Sequence, residues 1–422
     1  MEKKGILQNQ YIYSVFTKLI IVGIGFLNSM LLARYLGPEL KGMAATTLNY
    51  ANIISIIITF GLHEAYPFFR KKKESKDFLS EYMTMVITIY IVYILITSGI
   101  LFFVKPHAEV IACVIVTILM GYSMIVNYVA LVESPNHRNT VMTWIYVIDL
   151  FVLALLYMFV PASYMIAVFL TAFVYLAQTV YYTFDLKFSF NMKLLSWADF
   201  KEYAKFGFFP MVALLLTTLN YRVDVIMLRA APQISYAEIG VYSVGVSLAE
   251  KVFLIPNAVK EILLSKLANG KSGEEVCKTI RMCWPICLLS TVGILILGKP
   301  FINLFYGGEY SGAYWTTIIC VFGTVFMIFF KMISTYNIVI GHQKINLILL
   351  TVSDTVNIGL NALLIPYFGT NGAAFASDVS YFICAVLFVT YFCKSQKTKL
   401  RDVVFLKKDD IKALKRKRSS CK

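Results

Sequence analysis

Residues 206–265 contain two apolar runs, each long enough to cross a lipid bilayer, joined by a short polar turn at 232–236. A membrane-spanning helix needs about 20 apolar residues at about 1.5 Å each. Charged residues nevertheless interrupt the two runs, among them Arg222, Asp224, Glu250, Lys251, Lys260 and Glu261. A charge at the centre of a membrane helix costs about 2.5–3.5 kcal/mol, so such residues face a bundle interior or a watery cavity. The stretch therefore predicts helices that line a polar space inside a membrane protein.

Polar residues of the second run repeat with a helical period and so share one face. They are Ser243, Ser247, Glu250, Asn257, Glu261 and Ser265. Residues off this stripe, such as Val244 and Leu254, are expected to meet lipid or neighbouring helices. Pro256 lies within the run and removes one backbone hydrogen bond, so we expect a kink near it.

The rest of the chain has the same apolar character. Of its 422 residues 59% are hydrophobic and 15% are charged, whereas soluble domains average about 45–50% and about 25%. Twelve spans are predicted, near 11–33, 43–66, 79–104, 109–132, 141–160, 163–184, 206–230, 236–263, 281–298, 313–340, 345–365 and 371–393. We therefore predict an all-α integral membrane protein of about twelve transmembrane helices, in two six-helix lobes around a central cavity.

A polar segment at 185–205 separates the two sets of six spans. The predicted domains are an N-terminal lobe at 1–184, a cytoplasmic linker at 185–205, a C-terminal lobe at 206–393 and a basic cytoplasmic tail at 394–422. Most of the 39 Lys and Arg residues fall on one side of the membrane if both termini are cytoplasmic, as the positive-inside rule requires. This distribution accounts for the net charge of +15 without a nucleic-acid partner.

Three residues of the first half recur 205 positions later: His137, Asp149 and Pro161 correspond to His342, Asp354 and Pro366. The chain has only four His and eleven Pro, so the recurrence predicts an internal repeat, with its axis along the membrane normal. Asp149 and Asp354 are accordingly expected to share a structural role.

Several basic residues lie inside predicted spans, on helix faces that also carry hydroxyl or amide groups. Lys331, for example, shares a face with Thr324 and Thr335. Such faces suit a sugar phosphate, because charges attract more strongly in a low-dielectric space than in water. We predict a cationic, substrate-binding cavity formed by Lys18, Arg222, Lys251 and Lys331, with further polar lining from Asn28, Asn52, Thr59, Asp224, Glu250 and Asn257.

Several of these residues also have a structural alternative. Arg222 can pair with Asp224, although residues two apart on a helix do not face each other. Lys18 and Lys331 can extend towards lipid phosphates, and Glu250 can form a salt bridge between helices. Gate or coupling candidates are Arg34, His63, Glu64 and Glu261. His63 and Glu64 can relay protons or simply contact a gate, and Glu261 can be part of a solvated rim.

Six segments resemble, in order, segments of the Wzx-type polysaccharide and O-antigen flippases: ARYLGPELKGMAA at 33–45, GLHEAYPFFR at 61–70, NYRVDVIML at 220–228, EIGVYSVGVSLAEKVFLIP at 238–256, FINLFYGGEYSGAY at 301–314 and GTNGAAFASDVS at 369–380. The resemblance covers residues 10–393. It implies the two-lobed, twelve-helix, MATE-like fold of the multidrug/oligosaccharidyl-lipid/polysaccharide (MOP) exporter superfamily.

The resemblance implies a flippase that moves an undecaprenyl-pyrophosphate-linked oligosaccharide across the bacterial inner membrane by alternating access. The cargo would be a repeat unit of O-antigen, as in lipopolysaccharide, of capsule or of a related polysaccharide. No cofactor is expected. Transport is expected to be coupled to a proton or sodium gradient. Expected partners are inner-membrane lipids, a polysaccharide polymerase and a chain-length regulator.

Two other functions stay open. One is a multidrug and toxin extrusion (MATE-type) antiporter, although such proteins carry organic cations in acidic cavities and the cations here favour an anionic cargo. The other is a membrane scaffold for glycan-assembly enzymes. The sequence has no complete Gly-x-x-x-x-Gly-Lys-Ser/Thr phosphate-binding loop, so ATP is not expected to drive transport. No enzyme, catalytic residue or metal site is predicted.

Overall fold

A computed structural model describes residues 2–73, 77–268, 273–407 and 410, without the side chains of 2–16, 18, 19, 136, 261, 265 and 268. Within this part the chain forms helices and no strands. The α-helices are α1 (Glu2–Ile58), α2 (Leu62–Lys72), α3 (Phe78–Val104), α4 (Ala108–Glu133), α5 (Pro135–Phe159), α6 (Tyr164–Asp185), α7 (Trp197–Ala230), α8 (Tyr236–Ala249), α9 (Leu254–Ala268), α10 (Gly273–Phe305), α11 (Ala313–Val339), α12 (Gln343–Gln396) and α13 (Leu400–Val404). Short 3-10 turns lie at Met192–Leu194, Glu250–Phe253 and Gly308–Tyr310.

Ten helical stretches in the described part are long and apolar enough to cross a membrane. Two of them, Ile20–Lys72 and Gln343–Gln396, contain 53 and 54 residues. At about 1.5 Å per residue these would reach about 80 Å, more than twice the bilayer's hydrocarbon thickness of about 30 Å. Each therefore accommodates two of the predicted spans. The prediction of an all-α, multi-pass membrane protein with about twelve transmembrane helices is confirmed.

The two longest helices each bend at a single glycine where the sequence predicted a loop. Gly37 has a φ of 68° inside α1, directly before Pro38, and Gly369 has a φ of 56° inside α12. Glycine adopts positive φ without the steric cost that a Cβ atom imposes. The chain therefore changes direction at these residues while the helix continues on both sides.

The predicted kink near Pro256 is confirmed. α8 ends at Ala249, a 3-10 turn occupies Glu250–Phe253, and α9 starts at Leu254. Pro256 has no N–H to donate to the carbonyl of Val252, and its ring clashes with that carbonyl, which explains why the break falls one turn earlier. Off the polar stripe, Val244 is buried, whereas Leu254 is exposed.

The chain divides into two compact units, Met1–Leu215 and Leu216–Lys422. In unit 1, α4 packs against α6, and α1 packs against α4 and α5. In unit 2, α11 packs against α8, α10 and α12 and is buried along most of its length. The division falls within α7, so the predicted boundaries at 184 and 206 stay a prediction.

The predicted linker at 185–205 is partly helical, because α7 already starts at Trp197. Tyr203 is fully buried in an aromatic cluster of unit 1 that also contains Tyr66, Phe69, Phe78 and Tyr82. Lys73 Nζ lies 2.8 Å from both Asp199 Oδ1 and Tyr203 Oη. Burial opposes the charge on Lys73, but these hydrogen bonds outweigh it and raise the pKa of Lys73. These contacts hold the start of α7 on unit 1.

Candidate functional site

A buried polar network in unit 2 links α7 to both halves of α12. Asn220 Nδ2 donates to Asp354 Oδ1 at 2.5 Å and to Ser353 Oγ at 3.1 Å. The hydroxyls of Ser353 and Ser380 are 3.0 Å apart. All four side chains are at most 5% exposed. Buried polar groups need hydrogen-bond partners, so this network fixes α7 against α12.

Asp224 lies one turn further along α7 and is 2% exposed. The backbone N–H of Val225 donates to Asp224 Oδ1 at 2.7 Å, and Tyr242 from α8 donates its hydroxyl to Oδ2. Ser377 Oγ is 3.4 Å from the same Oδ2. Asp224 therefore belongs to a buried polar connection between α7, α8 and α12 in the structure.

Arg222 and Glu250 form a salt bridge between α7 and the 3-10 turn that follows α8. Arg222 Nη2 lies 3.0 Å from Glu250 Oε2. Arg222 is not bound to Asp224, since side chains two residues apart on a helix point in different directions. The structure thus places Glu250 in the inter-helix salt bridge that the sequence left open as an alternative.

Lys331 on α11 is held by aromatic rings rather than by a carboxylate. Its Nζ lies 4.4 Å from the ring centroid of Phe253 and 5.5 Å from that of Tyr221. Among the side chains that the structure describes, no acidic group lies within 4.0 Å of this Nζ. Phe253 belongs to the same 3-10 turn as Glu250, the partner of Arg222. Aromatic faces attract an ammonium group without neutralising it.

The predicted cationic residues are thus partly brought together. Arg222, Lys331 and Glu250 lie in one neighbourhood of unit 2, and Lys251 follows Glu250 in the same 3-10 turn. Asn257 is exposed on α9. The side chains of Lys18 and Glu261 lie outside the described residues, so their predicted roles stay predictions.

Unit 1 contains a related Asn–Asp pair beside a cavity. Asn28 Nδ2 donates to Asp149 Oδ2 at 2.5 Å, as Asn220 does to Asp354 in unit 2. The cavity has a volume of about 260 Å³ and is lined by Asn28, Asp149, Lys41 and other residues. Asn28 therefore lines a polar cavity, and this cavity lies inside unit 1.

The internal repeat extends to side-chain partners. His137 Nε2 is 2.9 Å from Tyr181 Oη in unit 1, and His342 Nδ1 is 2.9 Å from Tyr391 Oη in unit 2. Together with the two Asn–Asp pairs, both units thus contain the same two kinds of contact. The recurrence 205 residues apart was the signal for Asp149 and Asp354, which the predicted site set did not include. No comparable signal pointed to Asn220.

Two of the predicted lining residues, Asn52 and Thr59, lie near the C-terminal end of α1 and in the turn that follows it. Thr59 Oγ1 donates to the carbonyl of Ile56 at 2.7 Å and accepts from the N–H of Gly61 at 3.2 Å. Thr59 is fully buried and stabilises the turn between α1 and α2. Asn52 is half-buried on α1.

The gate candidates occupy different surroundings. His63 is fully buried, and neither of its ring nitrogens has a hydrogen-bond partner among the described residues. Its Nε2 lies 4.0 Å from Glu64 Oε1, which accepts a hydrogen bond of 3.1 Å from Tyr128. Arg34 is exposed on α1. His63, Glu64 and Tyr128 form a local group in unit 1.

The fold is similar to that of multi-pass membrane proteins of the MOP type. The chain aligns over 93% of its length with the lipid II flippase MurJ in an inward-closed conformation, at 16% identity and a TM-score of 0.67, covering 88% of that chain. A multidrug resistance MATE family transporter of the MOP superfamily, inward-facing, aligns at 12% identity and a TM-score of 0.68, covering 92% of this chain and 99% of that one. A MOP superfamily transporter from Pyrococcus furiosus, described as having a binding pocket of reverse polarity, aligns at 13% identity and a TM-score of 0.62, over 92% and 95%.

The sequence profile of the polysaccharide biosynthesis protein family matches residues 7–256. The chain belongs to this family. The curated proteins contain no match to the chain. The resemblance found from the motifs is confirmed, because the family match and the MOP-type neighbours agree with it.

Proposed function

We propose that the protein is a flippase for an undecaprenyl-pyrophosphate-linked oligosaccharide, the repeat unit of O-antigen, capsule or a related surface polysaccharide. It would act in the bacterial inner membrane by alternating access, with both termini in the cytoplasm. Membership of the polysaccharide biosynthesis family carries this proposal. The alignment with the lipid II flippase MurJ supports the fold that such transport requires.

The charges in unit 2 support an anionic headgroup. Three cations, Arg222, Lys251 and Lys331, lie in or beside the 3-10 turn at Glu250–Phe253, which contains one carboxylate, Glu250. A pyrophosphate gains most from cations in a low-dielectric surrounding, and a guanidinium can bind two phosphate oxygens at once. The polar glycan would travel through protein while the lipid tail stays in the bilayer. Transport, not catalysis, is the role that this assigns to the charged residues.

We also propose that transport is coupled to a proton or sodium gradient. Asp224 and Asp354 are buried carboxylates, and Asp354 Oδ2 has no hydrogen-bond partner among the described residues. Buried carboxylates in membrane helices favour a bound proton or cation over an uncompensated charge. The same observation favours the second candidate, a MATE-type antiporter for organic cations, because acidic sites suit cationic drugs. A polymerase and a chain-length regulator remain proposed partners.

The test is the sidedness of the lipid-linked glycan. Spheroplasts and right-side-out vesicles from cells without the protein are treated with an impermeant lectin or sugar oxidant. We expect the glycan to be shielded, and to become accessible after re-expression. If it reaches the outer face without the protein and only drug tolerance changes, the antiporter replaces the flippase.

Charge variants test the cationic site. Lys18→Ala, Arg222→Ala and Lys331→Ala are each expected to impair glycan display at unchanged protein level. Arg229→Ala is the matched control, since Arg229 lies on the same helix as Arg222 but stacks on Tyr236 at the helix end. Wild-type display by the three single variants and by the triple variant would refute the cationic site.

A further inference from the structure

We propose that the cavity inside unit 1 binds one pyranose ring of the transported glycan. The proposal rests on the flippase function proposed above. The cavity is lined by side chains from α1, α5 and α6, including Asn28, Lys41, Tyr146, Asp149, Thr171 and Tyr175. It is distinct from the cationic residues of unit 2.

Asp149 lines the cavity, and one oxygen of its carboxylate has an unused capacity to accept a hydrogen bond. The residue is 6% exposed. Its Oδ2 accepts from Asn28, but its Oδ1 is buried and has no partner among the described residues. An unpaired buried carboxylate oxygen is costly, and a hydroxyl group that donates to it forms a short, charge-assisted bond. Sugar hydroxyls are donors of this kind.

The remaining lining supplies the other contacts that a sugar needs. Lys41 offers N–H donors to hydroxyl oxygens or to the carboxylate of an acidic sugar. Among the described side chains, no acidic group lies within 4.0 Å of the Lys41 Nζ, so this cation is not neutralised by an ion pair. Tyr146 and Tyr175 present apolar ring faces with polar tips, which match the apolar and hydroxyl-bearing parts of a pyranose.

The size of the cavity limits the ligand to one ring. Its volume of about 260 Å³ lies just below the range of about 300–1,000 Å³ for pockets that take drug-sized ligands. A whole oligosaccharide does not fit, but a single ring with its hydroxyl groups does. The rest of the glycan and the carrier lipid would lie outside this cavity.

Two glycines on α1 allow a controlled test. Gly25 lines the cavity, and a Cβ atom there would meet nothing within 4 Å. Gly23 also has nothing within 4 Å, but it is exposed and does not line the cavity. Residues two apart on a helix point in different directions. Gly25→Leu therefore fills the cavity, and Gly23→Leu makes the same chemical change outside it.

Binding is measured on the full-length protein in nanodiscs by saturation-transfer difference NMR. The probes are the methyl glycosides of a neutral hexose, an N-acetylhexosamine and a hexuronic acid. Each is used at about 10 mM, since ligands with few contacts bind with millimolar Kd. We expect a signal for at least one glycoside, reduced at least tenfold in Gly25→Leu and unchanged in Gly23→Leu. Gly25→Ser, which adds a smaller group at the same point, replaces Gly25→Leu if that variant does not fold.

The sidedness assay on the same variants separates the two proposals. Accumulation of inward-facing glycan in Gly25→Leu cells, but not in Gly23→Leu cells, would tie the site to the transported glycan rather than to a free sugar. If the protein flips glycan but Gly25→Leu flips it as well as Gly23→Leu does, the flippase proposal stands and the proposal of a pyranose-binding cavity (the ring site) is refuted. Absence of glycoside binding to the unsubstituted protein would also refute the site. If glycan sidedness does not depend on the protein at all, the proposed function fails and the ring site fails with it.

Discussion

A backbone contact between Gly61 and Gly207 sets up a sharp stability prediction. Gly61 lies in the turn between α1 and α2 with a φ of 70°, and Gly207 lies inside α7. A Cβ atom on Gly207 would come within 3.0 Å of the carbonyl oxygen, carbonyl carbon and Cα of Gly61. All three neighbours are backbone atoms, so no side-chain rotation can relieve the contact. Gly207→Ala is therefore expected to push α7 away from this turn.

The expected cost follows from two opposing effects. Overpacking costs about 1–3 kcal/mol, and contact with backbone puts this substitution near the upper end. Replacing glycine by alanine inside a helix raises the free energy of unfolding by about 1 kcal/mol, because alanine has the higher helix propensity. The net effect is a loss of about 2 kcal/mol in the free energy of unfolding. Gly99→Ala on α3 is the matched control, because its Cβ would meet nothing within 4 Å. It should gain about 1 kcal/mol, so the two variants should differ by about 3 kcal/mol.

Thermal unfolding of the purified proteins in one detergent measures this difference. For a unit of about 200 residues, 1 kcal/mol shifts Tm by about 2–4 °C, so the two alanine variants should melt about 6–12 °C apart. Gly61→Ala should be less stable than Gly207→Ala, since it adds about 1–2 kcal/mol of left-handed backbone strain. If Gly207→Ala melts together with Gly99→Ala, the close approach does not constrain the fold and the reasoning is wrong.

Other predictions concern α10, its C-terminal partner and the break before α9. Arg281 Nε and Asp410 Oδ2 form a buried pair at 2.6 Å, so Arg281→Ala should cost about 3 kcal/mol in thermal unfolding; an unchanged Tm would contradict this. The Arg281 hydrogen bond holds the pKa of Asp410 below its ordinary value of about 3.9. The stabilisation by the Arg281–Asp410 pair should therefore be complete above about pH 4 and be lost as pH falls through the lowered pKa of Asp410. Acid should then shrink the Tm difference between the wild type and Arg281→Ala. A difference that stays constant with pH would refute this prediction. Pro256→Ala restores a helical N–H and should leave Tm equal or higher while lowering glycan export; unaltered export would show that the break is not needed for transport.

Hydropathy was sufficient to predict the spans, but it could not show how neighbouring spans are joined. Gly37 and Gly369 were placed in short loops, although the helices continue through both positions. A glycine next to polar or proline residues predicts a loop. Glycine adopts positive φ both in turns and in helix kinks, so the sequence does not distinguish the two. The start of α7 at Trp197 was missed for another reason. Tyr203 is held by tertiary contacts with distant aromatic residues, which local composition does not reveal.

The candidate sites show a similar limit. Helical periodicity placed Glu250 on a polar face, and the spacing of two residues disfavoured Asp224 as the partner of Arg222. Neither could identify Glu250 as that partner, because the two residues lie 28 positions apart on different helices. The repeat drew attention to Asp149 and Asp354. Their asparagine partners lie 121 and 134 positions away, beyond the reach of any pattern in one sequence.

The different settings of Arg222 and Lys331 bear on how the proposed flippase would receive the proposed pyrophosphate group. Arg222 is bound to Glu250 at 3.0 Å, so an anionic ligand must compete with that carboxylate. Lys331 is held by the rings of Phe253 and Tyr221, which leave its charge available. A phosphate would therefore meet Lys331 first, and Arg222 could then exchange Glu250 for a second phosphate oxygen. That exchange would release the link between α7 and the 3-10 turn at Glu250–Phe253, where the helix is already broken ahead of Pro256. Arrival of the headgroup would thus loosen the segment Glu250–Phe253, which has 3-10 rather than α-helical hydrogen bonding.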